Sequence, residues 1–265
     1  MLPRVPALSE RTWSILEAAD TTMTTLDRSA QRQAKRLPLY IQISELLHRE
    51  IAAGHYKVGE RLPIEADLAL QLGVAIGTLR KALSKLESDG MLERRQGSGT
   101  YVKSALNSQA VYQLFRLELL GGGGMPNADT LSVEGHTNAY VAGQLGLAAR
   151  TPMWRIRRLR FLNKTPAAGE EMWLDQRHDP ELNIHTLNES LYKHYRDHFD
   201  FWITHIEDRI SCTGAPDWVA PLLSKKSGAP VGFVERLSWS NQGRIEEFSY
   251  TWFDPEQVRY ISRLS

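Results

Sequence analysis

The stretch from Arg61 to Lys103, RLPIEADLALQLGVAIGTLRKALSKLESDGMLERRQGSGTYVK, constrains the fold more than any other part of the chain. From Ile76, the residues Leu79, Leu83 and Leu86 return at i, i+4 and i+7 spacing, so one stripe of a helix is apolar. The opposite side carries Arg80, Lys81, Ser84, Lys85 and Ser88, with no carboxylate before Glu87. A shorter helix precedes it, with Leu68, Ala69 and Leu72 apolar, Glu65 and Asp67 in its first turn, and Gly73 as terminator. Two helices joined by a few residues around a glycine match a helix–turn–helix, whose second helix must cross the first steeply to enter a major groove. After Asp89-Gly90, the runs Met91–Arg95 and Thr100–Lys103 flank Gln96-Gly97-Ser98-Gly99, which reads as a Gly-rich hairpin with Arg94 and Arg95 beside its turn. The alternative is a solvated amphipathic helix followed by an ordinary hairpin.

Further residues carry a resemblance. Pro38-Leu39-Tyr40, Gly59-Glu60-Arg61-Leu62-Pro63, Leu72-Gly73-Val74, Thr78-Leu79-Arg80-Lys81-Ala82-Leu83, Asp89-Gly90 and Gln96-Gly97-Ser98-Gly99-Thr100-Tyr101-Val102 resemble the DNA-binding domain of GntR-type bacterial regulators. The resemblance implies a winged helix–turn–helix that binds double-stranded operator DNA. Thr78, Arg80, Gln96 and Gly97 fall on its contact positions, with Arg61, Lys81, Arg94 and Arg95 as further cations of the surface. Two departures matter. Ile64 stands where a hydroxyl N-cap is usual, and Ala75-Ile76-Gly77 replaces the usual hydroxyl-arginine entry to the second helix. Ile76 can meet a thymine methyl but cannot make a bidentate guanine contact, so the operator sequence is left open.

A net charge of +1 gives the whole chain no electrostatic bias toward nucleic acid, so any DNA affinity must come from local segregation of charge. At 265 residues with 42% apolar content, two ordinary domains are expected. The single cysteine, Cys212, excludes an internal disulfide framework. No long apolar run suggests a membrane span, and no signal pattern opens the chain, so a cytoplasmic protein is expected. Residues 1–36 read as an extension, with a short helix within Ser9–Asp27 and a basic run at Arg28, Arg32, Lys35 and Arg36. A DNA-binding domain over 37–103, a polar linker over 104–110 and a second domain over 111–265 follow.

Within 37–103, Leu39–Ala53 reads as a scaffold helix with Ile43, Leu46, Leu47 and Ile51 inward. Beyond the linker, Gly121–Gly124 reads as a plain loop. Period-two patterning then predicts strands at Leu131–Glu134, Met153–Leu162, Glu170–Gln176, Trp202–Cys212, Val231–Ser240 and Ile245–Phe253. Helices are expected at Asn138–Leu145, Ser190–Phe199 and Asp217–Leu223. The fold class is α+β with a largely antiparallel sheet. Six of the seven tryptophans fall here, pointing to an enclosed core, and Cys212 is expected in that core.

On Met153–Leu162 the residues Trp154, Ile156, Arg158 and Arg160 share a face, so two cations stand among apolar neighbours and must be paired or receive an anion. Glu170, Ser190 and Glu247 are placed to complete either arrangement, Ser190 at a helix N-terminus. Arg158-Leu159-Arg160, Pro166, Glu170, Ser190-Leu191-Tyr192, Gly228-Ala229-Pro230-Val231 and Glu247-Phe248-Ser249 resemble the UTRA effector domain of the HutC subfamily of GntR regulators. That resemblance implies a chorismate-lyase-like fold, a homodimer, and a small anionic effector such as a sugar phosphate, phosphonate or organic acid. Arg158, Arg160, Glu170, Ser190 and Glu247 map onto effector-contacting positions, while Phe253 replaces a tyrosine of several relatives. A repressor released from its operator by a small acidic metabolite is the reading these features favour. An enzyme of the same fold, or a ligand-independent DNA binder, stays open beside it. No cofactor is implied. His185, His194, His198 and His205 are scattered without metal-ligand spacing, and His194 and His198 read as surface helix residues.

Overall fold

The computed structural model describes residues 37–103, 112 and 114–263. The expected helix within Ser9–Asp27, the basic run that follows it and the 104–110 linker lie outside the described residues.

Three helices and a hairpin form the N-terminal part: α1 (Leu39–Ala52), α2 (Glu65–Gln71), α3 (Ile76–Ser88), β1 (Leu92–Arg95) and β2 (Gly99–Val102). Leu79, Leu83 and Leu86 of α3 bury against Ile43, Leu47 and Ile51 of α1 and Leu68 of α2. Truncating one such leucine costs about 2–5 kcal/mol. Gly73, at φ +62°, ends α2 in the left-handed conformation that lets the chain turn into α3. Ile76, just ahead of the leucine stripe, is 42% exposed, and Ala82 is buried together with the leucines.

The helix α1 has two buried faces. Besides Ile43, Leu47 and Ile51, it buries Ser44, Glu45 and Arg49, which a scaffold helix would be expected to expose. The polar face meets the start of the second domain. Arg49 donates to the carbonyls of Gly124 (2.8 Å) and Phe115 (3.4 Å) and to that of Leu117. The four-glycine segment is a loop, as expected, and it packs against α1. Gly123 has φ +62°, and a Cβ there would stand 2.2 Å from the Glu50 carboxylate of α1. The positive φ favours glycine there, and a Cβ would also have to displace the end of the Glu50 side chain.

The remainder is a six-stranded antiparallel sheet in the order β4-β5-β6-β9-β8-β7. Its strands are β4 (Pro126–His136), β5 (Met153–Leu162), β6 (Thr165–Asp175), β7 (Ile203–Gly214), β8 (Pro230–Ser240) and β9 (Ile245–Phe253). A ribbon of β3 (Leu117–Leu119) and β10 (Val258–Tyr260) was not anticipated from the sequence. Two helices, α4 (Ala139–Gln144) and α5 (Leu191–His198), accompany the sheet. Where a helix was expected at Asp217–Leu223, a short 3-10 turn spans Ala220–Leu223 with Pro221 at its start.

Several burial expectations are corrected. Cys212 is exposed, because β7 is an edge strand with most of its residues open to solvent. Of the six tryptophans in this part, Trp173 alone is buried and Trp202 is 50% exposed, so they border the core more than they fill it. His194 is buried, not a surface residue, and both of its ring nitrogens lack a hydrogen-bond partner; His198, next to it, is exposed.

Candidate DNA-binding surface and effector pocket

The exposed side of α3 and the tip of the hairpin form one polar surface. Arg80 and Lys81 project from α3, Arg94 and Arg95 from β1, and Gln96 and Gly97 from the turn, all exposed; Thr78 is half-buried in the first turn of α3. Each arginine is tethered near the surface. Arg80 Nε meets Glu65 Oε2 of α2 at 2.6 Å, Arg94 donates to Ser84 Oγ at 3.2 Å, and Arg95 lies 4.3 Å from the centroid of the Tyr101 ring. Arg61 pairs with Tyr101 through a backbone bridge, and its guanidinium occupies the space where a Cβ on Gly99 would stand, 2.6 Å away. Neither α2 nor α3 has a side-chain N-cap, since Ile64 and Ala75 hold those positions. The amides of the first turn of α3 are thus left without a capping side chain.

A second polar constellation lies on one face of the large sheet. The register sets Arg158 opposite Glu170, Met172 opposite Ser249, and Arg236 opposite Ser249 on the other side. Arg160, Glu170, Ser190 and Glu247 line a common cavity with Phe115, Tyr192 and Arg236. Arg160 Nε donates to Glu170 at 2.7 Å, a diagonal contact two residues along from Ala168, which stands directly opposite Arg160. Burial is the largest influence and works against its charge, but Glu170, Tyr112 and Glu189 together outweigh it and hold the guanidinium more basic than usual. Its Nη1 lacks a partner. Ser190 caps α5, accepting from Lys193 N at 3.4 Å. Glu247 takes a hydrogen bond from Tyr195 Oη at 2.5 Å, yet burial keeps its carboxyl pKa above the usual range.

Arg158 does not reach the lining. It is 0% exposed, donates through Nη2 to the Glu189 carbonyl, and leaves Nε and Nη1 without partners. Burial first, and Arg160 second, lower its pKa to about 10. The structural pairing of Arg158 and Arg160 with Glu170 and Glu247 thus holds for Arg160 with Glu170, whereas Glu247 bonds to Tyr195. Phe253 also lies off the lining: it packs in the cluster of Leu162 and Val258, over Gly232, and Thr251 takes the place beside the cavity.

Sequence reasoning missed Arg236 and the residues Tyr112, Leu114 and Phe115 at the start of the second domain. Arg236 grips Asp208 through two bonds of 2.6 and 2.7 Å and donates to the Leu114 carbonyl at 2.8 Å. It alternates with Val234 and Ser238 on β8, the same signal that singled out Arg158 and Arg160. No periodicity could have placed Tyr112, Leu114 and Phe115 over the cavity, because they belong to a connecting segment. With these residues in place the cavity measures about 50 Å³, room for a few waters and not for a sugar.

A winged helix–turn–helix joined to an antiparallel sheet that carries a charged cavity is the architecture of a DNA-binding regulator. The chain belongs to the GntR family of bacterial regulatory proteins and carries a UTRA domain. The family profile for bacterial regulatory proteins of the gntR family matches residues 39–102, and that for the UTRA domain matches residues 123–259. The chain is 45% identical over 228 residues to the HTH-type transcriptional regulator SmoD of Agrobacterium fabrum, covering 86% of this chain and 97% of SmoD. It is 28% identical to the mannosyl-D-glycerate transport/metabolism system repressor MngR of Escherichia coli, covering 84% of this chain and 94% of MngR. It is also 28% identical to the transcriptional repressor NagR of Bacillus subtilis, covering 86% and 97%. Among solved structures, the ligand-binding domain of a GntR-family regulator from Bordetella bronchiseptica superposes with TM-score 0.53 at 24% identity, over 57% of this chain and 96% of that one. The regulator YydK of Bacillus subtilis superposes with TM-score 0.52 at 18% identity, over 86% and 100%. The chain is therefore a transcriptional regulator and not an enzyme. Among the described residues no helix is long and apolar enough to cross a membrane.

Proposed function

We propose that the protein is a homodimeric repressor whose grip on operator DNA is released by a small anionic metabolite. Residues 37–103 serve as the DNA-binding domain and 111–265 as the effector domain. The observation that carries this reading is the cavity itself, where a buried arginine with a free donor, a helix N-terminus and two carboxylates converge. Arg160 Nη1 and Ser190 would take the anion, with Arg158 adding charge from behind. Glu170, Glu247 and Ser249 would meet hydroxyl or amine groups. A sugar phosphate, phosphonate or small organic acid has that chemistry, and relatives named as repressors of sugar-derivative systems agree with it.

On the DNA side, Arg61, Arg80, Lys81, Arg94 and Arg95 would neutralise phosphates, while Thr78, Gln96 and Gly97 approach the duplex from α3 and the wing. Admission of a ligand requires the segment carrying Tyr112, Leu114 and Phe115 to move, since it narrows the cavity to about 50 Å³. The same segment is bonded to α1: the amide of Tyr112 donates to Glu45 at 3.3 Å, and the carbonyl of Phe115 accepts from Arg49. Ligand entry would therefore shift the population of domain arrangements and spoil half-site spacing. Linkage requires that DNA weaken the ligand by the same factor.

The test is fluorescence anisotropy of a labelled fragment of the gene's own promoter, titrated with the protein and then with a panel of sugar phosphates, phosphonates and organic acids. A compound that lowers promoter affinity in the wild type and leaves Arg160→Ala unaffected supports the reading. Equal affinity for promoter and random duplex at near-physiological salt would overturn it.

A further inference from the structure

One aromatic ring lies between the two halves of the molecule. The Arg160 guanidinium, in the cavity, stands 5.1 Å from the centroid of the Phe115 ring. The Arg49 guanidinium, on α1 of the DNA-binding domain, stands 5.2 Å from the same centroid. Both distances are within the range at which a cation is attracted to the quadrupole of a ring. We infer that Phe115 is the positioning residue through which the charge state of the cavity is read by α1. The inference rests on the proposal that the cavity is the effector site, and adds how its occupancy reaches the DNA-binding domain.

The physical basis is that neither contact is washed out by solvent. Arg160 and Arg49 are both buried, and burial, ahead of the compensating Glu118, lowers the Arg49 pKa to about 10. In such surroundings a cation–ring contact is stronger than at the surface. An anion that engages the free Nη1 of Arg160 adds a second counter-charge beside Glu170 and draws the guanidinium from the ring. The ring then loses one of its two cation contacts. Because the carbonyls of Phe115 and Leu117 are acceptors for Arg49, a displacement of the ring pulls on the bonds that seat α1. The core cluster joins α1 to α3, so a shift of α1 is felt by the recognition helix.

Other links bypass the ring. Leu37 N donates to Glu189 at 3.4 Å, and Tyr112 N donates to Glu45. A test must therefore isolate the ring from them. A mutant cycle on the full-length chain does so: wild type, Arg160→Gln, Phe115→Leu, and the two combined, with Phe115→Tyr as the variant that keeps the ring. Hydrogen–deuterium exchange of the α1 amides needs neither ligand nor DNA, and promoter affinity is read alongside. In the wild-type background Arg160→Gln is expected to raise α1 exchange about five- to tenfold and to change promoter affinity by a similar factor. In the Phe115→Leu background the same substitution is expected to do neither, while in the Phe115→Tyr background it acts as in the wild type. Equal effects of Arg160→Gln with and without the ring, or no effect on α1 in the wild type, would overturn the inference. A chain that shows the exchange coupling but no promoter preference would keep this inference and sink the proposed repressor function instead.

Discussion

Replacing Arg158 by methionine should make the protein more stable, the opposite of what deleting a buried polar residue usually does. Arg158 is fully enclosed, and two of its nitrogens have no partner. Burial is the leading reason its pKa falls to about 10, and that displacement corresponds to roughly 3 kcal/mol of penalty on the charged form at about 1.4 kcal/mol per pH unit. The substitution forfeits the bond to the Glu189 carbonyl, which is worth about 1–2 kcal/mol. Methionine fills much of the same volume without charge, and buried ionic groups replaced by apolar ones often leave a protein as stable or more so. The net expectation is a gain of about 1–2 kcal/mol, or roughly 3–6 °C in melting temperature for a domain of this size. Six of the seven tryptophans lie beyond residue 110, so tryptophan fluorescence during thermal or urea unfolding reports on the right domain. The same variant should weaken stabilisation by an anionic effector without abolishing it, since Arg160 and Ser190 stay in the lining. A loss of 1 kcal/mol or more would refute the reasoning, because it would mean that Arg158 is already satisfied and is not a cation held ready for an anion.

Three further outcomes are expected. Arg80→Ala removes a side chain whose ion pair with Glu65 is largely exposed, so stability should stay within about 1 kcal/mol while promoter affinity falls roughly 10- to 100-fold; normal footprinting by this variant would remove Arg80 from the contact surface. The pKa values of His48 and His194 are each lowered to about 4, chiefly by burial, with Arg49 then Asp89 acting on His48, and His198, Asp179 and Asp197 on His194. Their folded pKa values lie below the unfolded value of about 6.5, so the stability they confer is complete above that pH and is lost as pH falls toward 4. Between those limits the slope contributed by the pair reaches about 2.7 kcal/mol per pH unit, and His194→Leu should remove about half of it; an unchanged slope in urea unfolding would contradict the assignment. Gly123→Ala forces a side chain into a left-handed position against Glu50 and should cost about 1–3 kcal/mol, measured by the same unfolding assay, with faster hydrogen exchange in α1.

Elements whose burial repeats along the chain could be read from the sequence. The strand limits at Met153–Leu162 and Ile245–Phe253 coincide with those expected, because side chains on them alternate between two faces. The stripe of Leu79, Leu83 and Leu86 on α3 was legible because its residues return to one face of a helix. Arg160, Glu170, Ser190 and Glu247 could be suspected because charges in a period-two run must find partners, and they do converge on one cavity. Contacts made by chain that obeys no period were illegible. The polar face of α1 looks ordinary until Phe115, Leu117 and Gly124 supply carbonyls for Arg49. His194 failed differently: on an eight-residue helix a buried polar residue and a solvated one have the same spacing, and the surrounding loops alone decide between them.

The narrowness of the cavity has a consequence for how such a regulator is tuned. A receptor that must open before it fills shows an apparent affinity equal to its intrinsic affinity diluted by the fraction of time spent open. Substitutions in the strap formed by Tyr112, Leu114 and Phe115 would then move the concentration at which the switch trips while leaving the choice of ligand to the sheet residues beneath. Sensitivity and selectivity would reside in separate parts of the chain, free to diverge independently among related genes.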